Sequence, residues 1–262
     1  MSLVKYVDRK NTDSVKWDGG LKNMYGDDQL LAMWVADMDF QSPEEVISSL
    51  QDYVTKGVYA YYSVPDDYYQ SFINWEKKEH GLDVEKDWIR FSPGVVSGFS
   101  WGVNIMTEPG DAVIVLTPVY YPFFNAVNNN GRKLIKSELV CSDGKYSIDY
   151  ADFEQKIIDN DVKLFILCSP HNPVGRVWKR EELKQLFDIC RKHNVFVLSD
   201  EIHHDLVYAD HTHIPSLSFG EYNDMMIALT APSKTFNLAG GQNSVIIIPD
   251  EKIREKLGYI CK

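Results

Sequence analysis

Cysteine is scarce in this chain. Its four residues, Cys141, Cys168, Cys190 and Cys261, lie far apart and form no C-x-x-C pair. That spacing excludes a disulfide scaffold and points to free thiols in a reducing cytoplasm, the expected location. Positive charge is also in deficit, with 27 Lys and Arg against 38 Asp and Glu and a net charge of −11. Phosphate backbones select basic surfaces, so no nucleic-acid partner is expected. No apolar run approaches the roughly 20 residues that cross a bilayer, so no membrane partner is expected either. The N-terminus, "MSLVKYVDRKNTDS", lacks the apolar core of a signal peptide. There is no internal repeat, no low-complexity stretch and no G-x-G-x-x-G or G-K-[ST], which argues against dinucleotide and nucleoside-triphosphate binding.

What is present is ordinary globular composition, 44% hydrophobic and 25% charged over 262 residues, enough for a large core. "DAVIVLTP" (111–118), "VKLFILCSP" (162–170), "VFVLSDE" (195–201), "MMIALTAPS" (225–233) and "SVIIIPD" (244–250) are short, rich in Val, Ile and Leu, and bounded by turn residues. They are expected to be buried strands. Between them, "KREELKQLFDICRKHN" (179–194) carries apolar residues at 183, 186, 187 and 190, the stripe of an amphipathic helix. Strand–helix alternation predicts an α/β domain with a largely parallel sheet, whose ligands collect outside the carboxyl ends of the strands. The first part of the chain is richer in aromatics and turns, with helices expected near 43–56 and 65–80.

The strand ends carry unusual residues. Asn172 lies in "SPHNPVG", Asp200 in "LSDEIHHD" and Lys234 in "TAPSKTFNLAGG", while Tyr120 and Tyr121 sit in "TPVYYPFF". An amine, a carboxylate, an amide and a stacking ring match the needs of pyridoxal 5'-phosphate (PLP). The amine bonds the aldehyde, and the carboxylate keeps the pyridine nitrogen protonated. The electron-poor ring then stabilises a carbanion. For the phosphate, "SPGVVSGFSW" (92–101) offers Gly94 in a turn ahead of a helix start, whose N–H groups bind anions. The hydroxyl of Ser233 adds a donor.

Eight stretches in order, "DRKNTDSVKWD" (8–18), "MWVADMDFQSPEEV" (33–46), "VYAYYSVPDDYY" (58–69), "FSPGVVSG" (91–98), "TPVYYPF" (117–123), "CSPHNPVGRVW" (168–178), "LSDEIHHDL" (198–206) and "PSKTFNLAG" (232–240), resemble the fold-type I PLP enzymes of the class I/II aminotransferase family. Within it they resemble the MalY/PatB branch of cystathionine β-lyase-like C–S lyases. The resemblance implies a three-layer αβα large domain over 51–262 with a mainly parallel seven-stranded sheet. It also implies an N-terminal arm and part of a small lobe over 1–50. It makes Lys234 the Schiff-base lysine and proton shuttle, Asp200 the partner of the pyridine nitrogen, and Asn172 the contact to the ring hydroxyl. Tyr120 stacks on the ring and Tyr121 orients substrate or shuttles protons. Val95, Val96 and Ser233 hold phosphate, Tyr61 reaches the phosphate of a neighbouring subunit in a homodimer, and the backbone of Ala36 lines the substrate carboxylate pocket.

Two positions depart from the aminotransferase pattern. Gln242 stands where many members carry a phosphate-binding arginine, and His203, counted with the cofactor-binding residues, stands where they often carry tyrosine. Both fit the lyase branch. Members also continue further and supply an arginine that clamps the substrate carboxylate. This chain ends at Lys262, in "EKIREKLGYICK", so it resembles a C-terminally truncated member with an incomplete small domain. The expected activity is PLP-dependent C–S β-elimination from cystathionine-like amino acids, giving a thiol, pyruvate and ammonia. The alternatives are an aminotransferase and a PLP-binding protein without catalysis. His203, His204, His211 and His213 lie near Asp200 and Glu201, yet no H-E-x-x-H or thiolate pattern accompanies them, so no metal is expected.

Overall fold

The computed structural model describes residues 5–27 and 29–260; Cys261 lies outside them. In chain order the elements are α1 (Leu21–Tyr25), α2 (Glu44–Thr55), α3 (Asp66–His80), β1 (Ile89–Ser92), α4 (Val95–Met106), β2 (Ala112–Thr117), α5 (Pro122–Asn128) and β3 (Lys133–Glu138). Then follow β4 (Val140–Ser142), β5 (Lys145–Ser147), α6 (Tyr150–Asn160), β6 (Val162–Cys168), α7 (Arg180–Lys192), β7 (Phe196–Asp200), β8 (Met226–Thr230), α8 (Pro232–Thr235), β9 (Ser244–Ile247) and α9 (Glu251–Ile260). They fall into two compact units: Val64–Ala231 with Gln242–Lys262, and Met1–Ser63 with Pro232–Gly241.

The larger unit is built on a seven-stranded sheet of order β1-β9-β8-β7-β6-β2-β3. Only β9 is reversed: it pairs antiparallel with β1 and β8, and the other pairings are parallel. Alternation of side chains along each strand divides the core between two faces. Val113, Val115, Leu164, Ile166, Leu198 and Leu229 pack with Phe99 and Val103 of α4, Phe123 of α5 and Leu257 of α9. Ile114, Leu116, Phe165, Leu167, Val197 and Ala228 pack with Phe153 of α6 and with α7. The result is the expected αβα sandwich. The stripe predicted on α7 is buried at Leu183, Leu186, Phe187 and Cys190. Among the described residues, no helix is long and apolar enough to cross a membrane.

The strands are shorter than their apolar runs. The run at 225–233 stops being strand at Thr230, because Pro232 has no N–H for a ladder and is suited to open the single turn of α8. Among the elements the periodicity did not reveal are β3, where Lys133 and Lys136 flank Leu134 and Ile135, and the β4–β5 hairpin. The order places β2 between β3 and β6, so successive connections depart to opposite sides of β2. That is a topological switch point, where a crevice opens beyond the carboxyl ends of neighbouring strands.

In the smaller unit, the buried ammonium of Lys16 donates to Asp39 Oδ2 at 2.7 Å and to the Asp37 carbonyl at 2.8 Å. The indole of Trp17 donates to Asp39 Oδ1 at 2.9 Å. Burial opposes ionisation of Asp39, but the hydrogen bonds from Lys16 and Trp17 and the charges of Lys16 and Arg9 outweigh it. Together they hold its carboxyl below the usual range. A Cβ on Gly20 would lie 2.2 Å from the ring of Trp34, so that close approach requires glycine.

Candidate active site

The carboxyl ends of the parallel strands carry the chemistry in the larger unit. Asp200 is the last residue of β7 and is 3% exposed. It is held there by pairing with Cys168 at the end of β6, with its carbonyl accepting from the N–H of Ser169 at 2.9 Å. Its Oδ1 accepts from the N–H of Ile202 at 3.1 Å. Past β2, Tyr120 is half-buried, with its ring 5.9 Å from Phe123 edge-on and 5.8 Å from Tyr121. Burial, then the negative charge of Asp200, pushes the Tyr120 phenol above its usual range. Tyr120 is therefore a neutral aromatic face beside a carboxylate. Tyr121, by contrast, is exposed at the start of α5.

Past β6, the N–H of Asn172 donates to Cys168 Sγ at 3.4 Å, and Cys168 Sγ in turn donates to the Pro170 carbonyl at 3.4 Å. Burial, with Asp200 nearby, pushes the Cys168 thiol upward and keeps it protonated. Sequence reasoning passed over Cys168 because its apolar run reads as plain strand. His203 is half-buried just beyond Asp200, and its carbonyl accepts from Leu206 at 2.9 Å.

After β1, Gly94 takes φ +86 and ψ 152 and starts α4 without any side-chain cap. A side chain is strained at that φ, so glycine suits this turn. The first N–H groups of a helix have no intrahelical acceptor. Those of Val95, buried, and Val96, exposed, thus stand at an uncapped positive helix end.

Lys234 belongs to the smaller unit, in α8. Its ammonium donates to the Ala36 carbonyl at 2.8 Å, so two residues singled out by sequence, far apart in the chain, meet. The contact is built by a residue the sequence reading missed, Asn237. Its side-chain amide donates to the carbonyls of Met38 at 3.1 Å and Phe40 at 3.0 Å and accepts from the N–H of Met38 at 3.3 Å. Asn237 adopts φ 56, a left-handed conformation that asparagine tolerates better than most residues. Its position within "KTFNLAG" was the available signal, but one asparagine in a turn is unspecific. Ser233 precedes Lys234, and its carbonyl accepts from Leu238 at 2.9 Å. Tyr61 lies in the extended segment between α2 and α3, fully exposed and brought to none of the other candidate residues in its unit.

Comparison with known proteins places this set of residues in a family. Residues 30–257 match the family described as aminotransferase class I and II. The chain belongs to the aminotransferase class I and II family. This family member is 44% identical over 257 residues to cystathionine beta-lyase PatB of Bacillus subtilis (strain 168), covering 98% of this chain and 66% of PatB. It is 30% identical over 254 residues to protein MalY of Escherichia coli (strain K12), covering 96% and 64%. The structure of cystalysin from Treponema denticola, which contains a pyridoxal 5'-phosphate cofactor, superposes with a TM-score of 0.91 at 41% identity, covering 97% of this chain and 65% of cystalysin. The class I and II chain thus spans just under two thirds of the length of these curated relatives.

Proposed function

We propose that this chain acts as a PLP-dependent carbon–sulfur β-lyase that takes cystathionine-like amino acids to a thiol, pyruvate and ammonia. The observation that carries the reading is the donor set at the strand ends. The buried carboxylate of Asp200 lies close enough to the half-buried Tyr120 ring to shift its phenol, and the uncapped start of α4 offers N–H donors in the same unit. A carboxylate, a flat aromatic face and unpaired N–H donors fit a planar cationic ring that bears a phosphate. The 44% identity to a cystathionine β-lyase supports the choice of substrate class.

When bound, PLP supplies an electron sink that lowers the cost of negative charge at the substrate α-carbon. In this reading Asp200 keeps the ring nitrogen protonated, since an adjacent opposite charge favours the cation. Asn172 orients the ring hydroxyl through its amide, and Tyr120 covers one ring face. The N–H groups of Val95 and Val96 and the hydroxyl of Ser233 hold the phosphate, with His203 nearby in sequence to Asp200. Lys234 would hold the cofactor aldehyde through Nζ, and the same amine would be the group available to hold or move a proton at the substrate α-carbon. Its donation to the Ala36 carbonyl gives the ammonium a fixed acceptor. Tyr121, Asn172 and the backbone of Ala36 orient substrate. The exposed Tyr61 suits a role at the phosphate of a second copy, which makes a homodimer the proposed assembly.

The balance is one substrate and one water in, and one thiol, one pyruvate and one ammonia out. The test is incubation of the PLP-loaded protein with L-cystathionine and no keto acid. Multiple turnovers of pyruvate support the lyase. Amino transfer that requires an added keto acid assigns an aminotransferase instead, and PLP binding without turnover assigns a non-catalytic role.

A further inference from the structure

We infer that the larger unit holds a divalent-cation site, of the kind that takes Zn²⁺, formed by Glu76, His80 and His204. The three come from different stretches of chain. Glu76 and His80 are one helical turn apart on α3 and so share a face. His204 follows β7 and is 5% exposed. Each offers one ligand atom, and the three atoms lie within 4.8 Å of one another.

The surroundings are those of a metal site. Asp205 Oδ1 accepts from His80 Nε2 at 2.7 Å, and Asp205 Oδ2 lies 3.4 Å from His204 Nε2. One carboxylate thus faces the Nε2 edge of both imidazoles, with Thr230 Oγ1 also 3.1 Å from His204 Nε2 and 3.4 Å from its Nδ1, so Nδ1 is the atom we assign to each as ligand. A carboxylate behind a ligating imidazole is the usual support, fixing tautomer and orientation. Glu76 Oε1 lies 3.9 Å from His204 Nδ1. It is also buried without any hydrogen-bond partner, although Glu76 is 2% exposed. An unpartnered buried carboxylate oxygen is costly, and a cation between it and the two Nδ1 atoms removes that cost.

Donors around tetrahedral zinc sit about 3.3 Å apart, given Zn–N and Zn–O bonds of about 2.0 Å. The 3.9 Å separation must therefore shorten by about 0.6 Å, and a pair at the 4.8 Å bound by about 1.5 Å, which requires side-chain rotation on metal binding. The imidazole rings of His80 and His204 lie 4.2 Å apart at 28°. Shared ligation draws their Nδ1 edges together while Asp205 retains the opposite edges. His213 stands edge-on to both rings, at 5.8 and 5.9 Å, and Glu201 Oε2 accepts from its Nε2 at 3.0 Å. The histidine spacing in sequence gave no such expectation, because two of the three ligands lie on a helix distant in the chain.

The experiment is calorimetric titration of the untagged protein with Zn²⁺ alone, repeated with Co²⁺ while the visible absorption is recorded. Trp75, whose indole donates to Asp205 at 3.1 Å, is one of six tryptophans, and its share of the emission is the difference from a Trp75→Phe variant. One equivalent should bind, with a Trp75 emission change and the Co²⁺ bands of a nitrogen–oxygen site. Glu76→Gln and His204→Gln should each weaken binding at least about 100-fold, and Asp205→Asn about 10- to 100-fold. His211→Gln, at an exposed position, should leave it unchanged. The near-isosteric Glu76→Gln decides the matter should His204→Gln fail to fold. Absence of stoichiometric binding, or affinity within about threefold of the parent in Glu76→Gln, overturns the site.

Discussion

Replacing Asn237 with alanine isolates the device that holds the Ala36 carbonyl against Lys234. The substitution removes two donated hydrogen bonds, to the carbonyls of Met38 and Phe40, and one accepted from the N–H of Met38. These bonds are partly solvent-exposed, so each contributes about 0.5–1 kcal/mol, roughly 2 kcal/mol together. Asn237 also sits at φ 56, where alanine adds about 1 kcal/mol of strain. The expected loss in Asn237→Ala is about 3 kcal/mol, or about 100-fold in the local opening equilibrium. Asn237→Gly loses the same hydrogen bonds but tolerates the left-handed backbone, so it should recover about 1 kcal/mol of that loss. Urea denaturation gives the total, and amide exchange mass spectrometry of residues 36–42 locates it. An alanine variant within about 0.5 kcal/mol of the parent, with unchanged exchange in that segment, refutes the assignment.

Four further outcomes are expected. Lys234→Ala should abolish both pyruvate formation and the borohydride-stable cofactor adduct; an adduct at full yield would move the aldehyde-holding role elsewhere. Asp200→Ala should lower turnover about 100-fold, the equivalent of a lost charge-assisted hydrogen bond of about 3 kcal/mol, while the chain stays folded by circular dichroism. In Gly98→Ala the new Cβ meets Leu229 Cδ2 at 2.4 Å and Ser92 Oγ at 2.8 Å, so these buried side chains or α4 must shift. A loss of about 1–3 kcal/mol in denaturant unfolding is expected, and unchanged stability would contradict that packing. His171 is 2% exposed, and burial lowers its pKa from 6.5 to about 4. The unfolded chain therefore takes up this proton first. Its contribution is complete above pH 6.5 and is lost as pH falls toward 4, by about 3 kcal/mol in all. His171→Gln should flatten that limb of the stability–pH curve, and parallel curves would reject the cause.

The αβα sandwich was legible because buried parallel strands are covered on both faces and leave unbroken apolar runs. The runs ending at Thr117, Cys168, Asp200 and Thr230 are such runs. Apolar β9 reads the same way, yet its reversed direction is invisible in composition, since direction depends on which strand it joins. β3 escaped notice because it is an edge strand carrying Lys133, Lys136 and Glu138, a charge density shared with surface loops.

By itself the sequence determined the fold class, the family and the identities of Asp200, Asn172, Tyr120 and Lys234 as candidates, because strand-end chemistry and turn residues are written locally. Only the tertiary structure decided which of these act on one another. It set Asp200 beside a Tyr120 phenol that burial keeps neutral, brought the ammonium of Lys234 to the carbonyl of Ala36, and put His80 and His204 on one carboxylate, Asp205, with Glu76 beside His204. The physical reason is that hydrogen bonds and charge interactions act over a few ångströms in space, whereas the residues that make them stand tens to nearly two hundred positions apart along the chain.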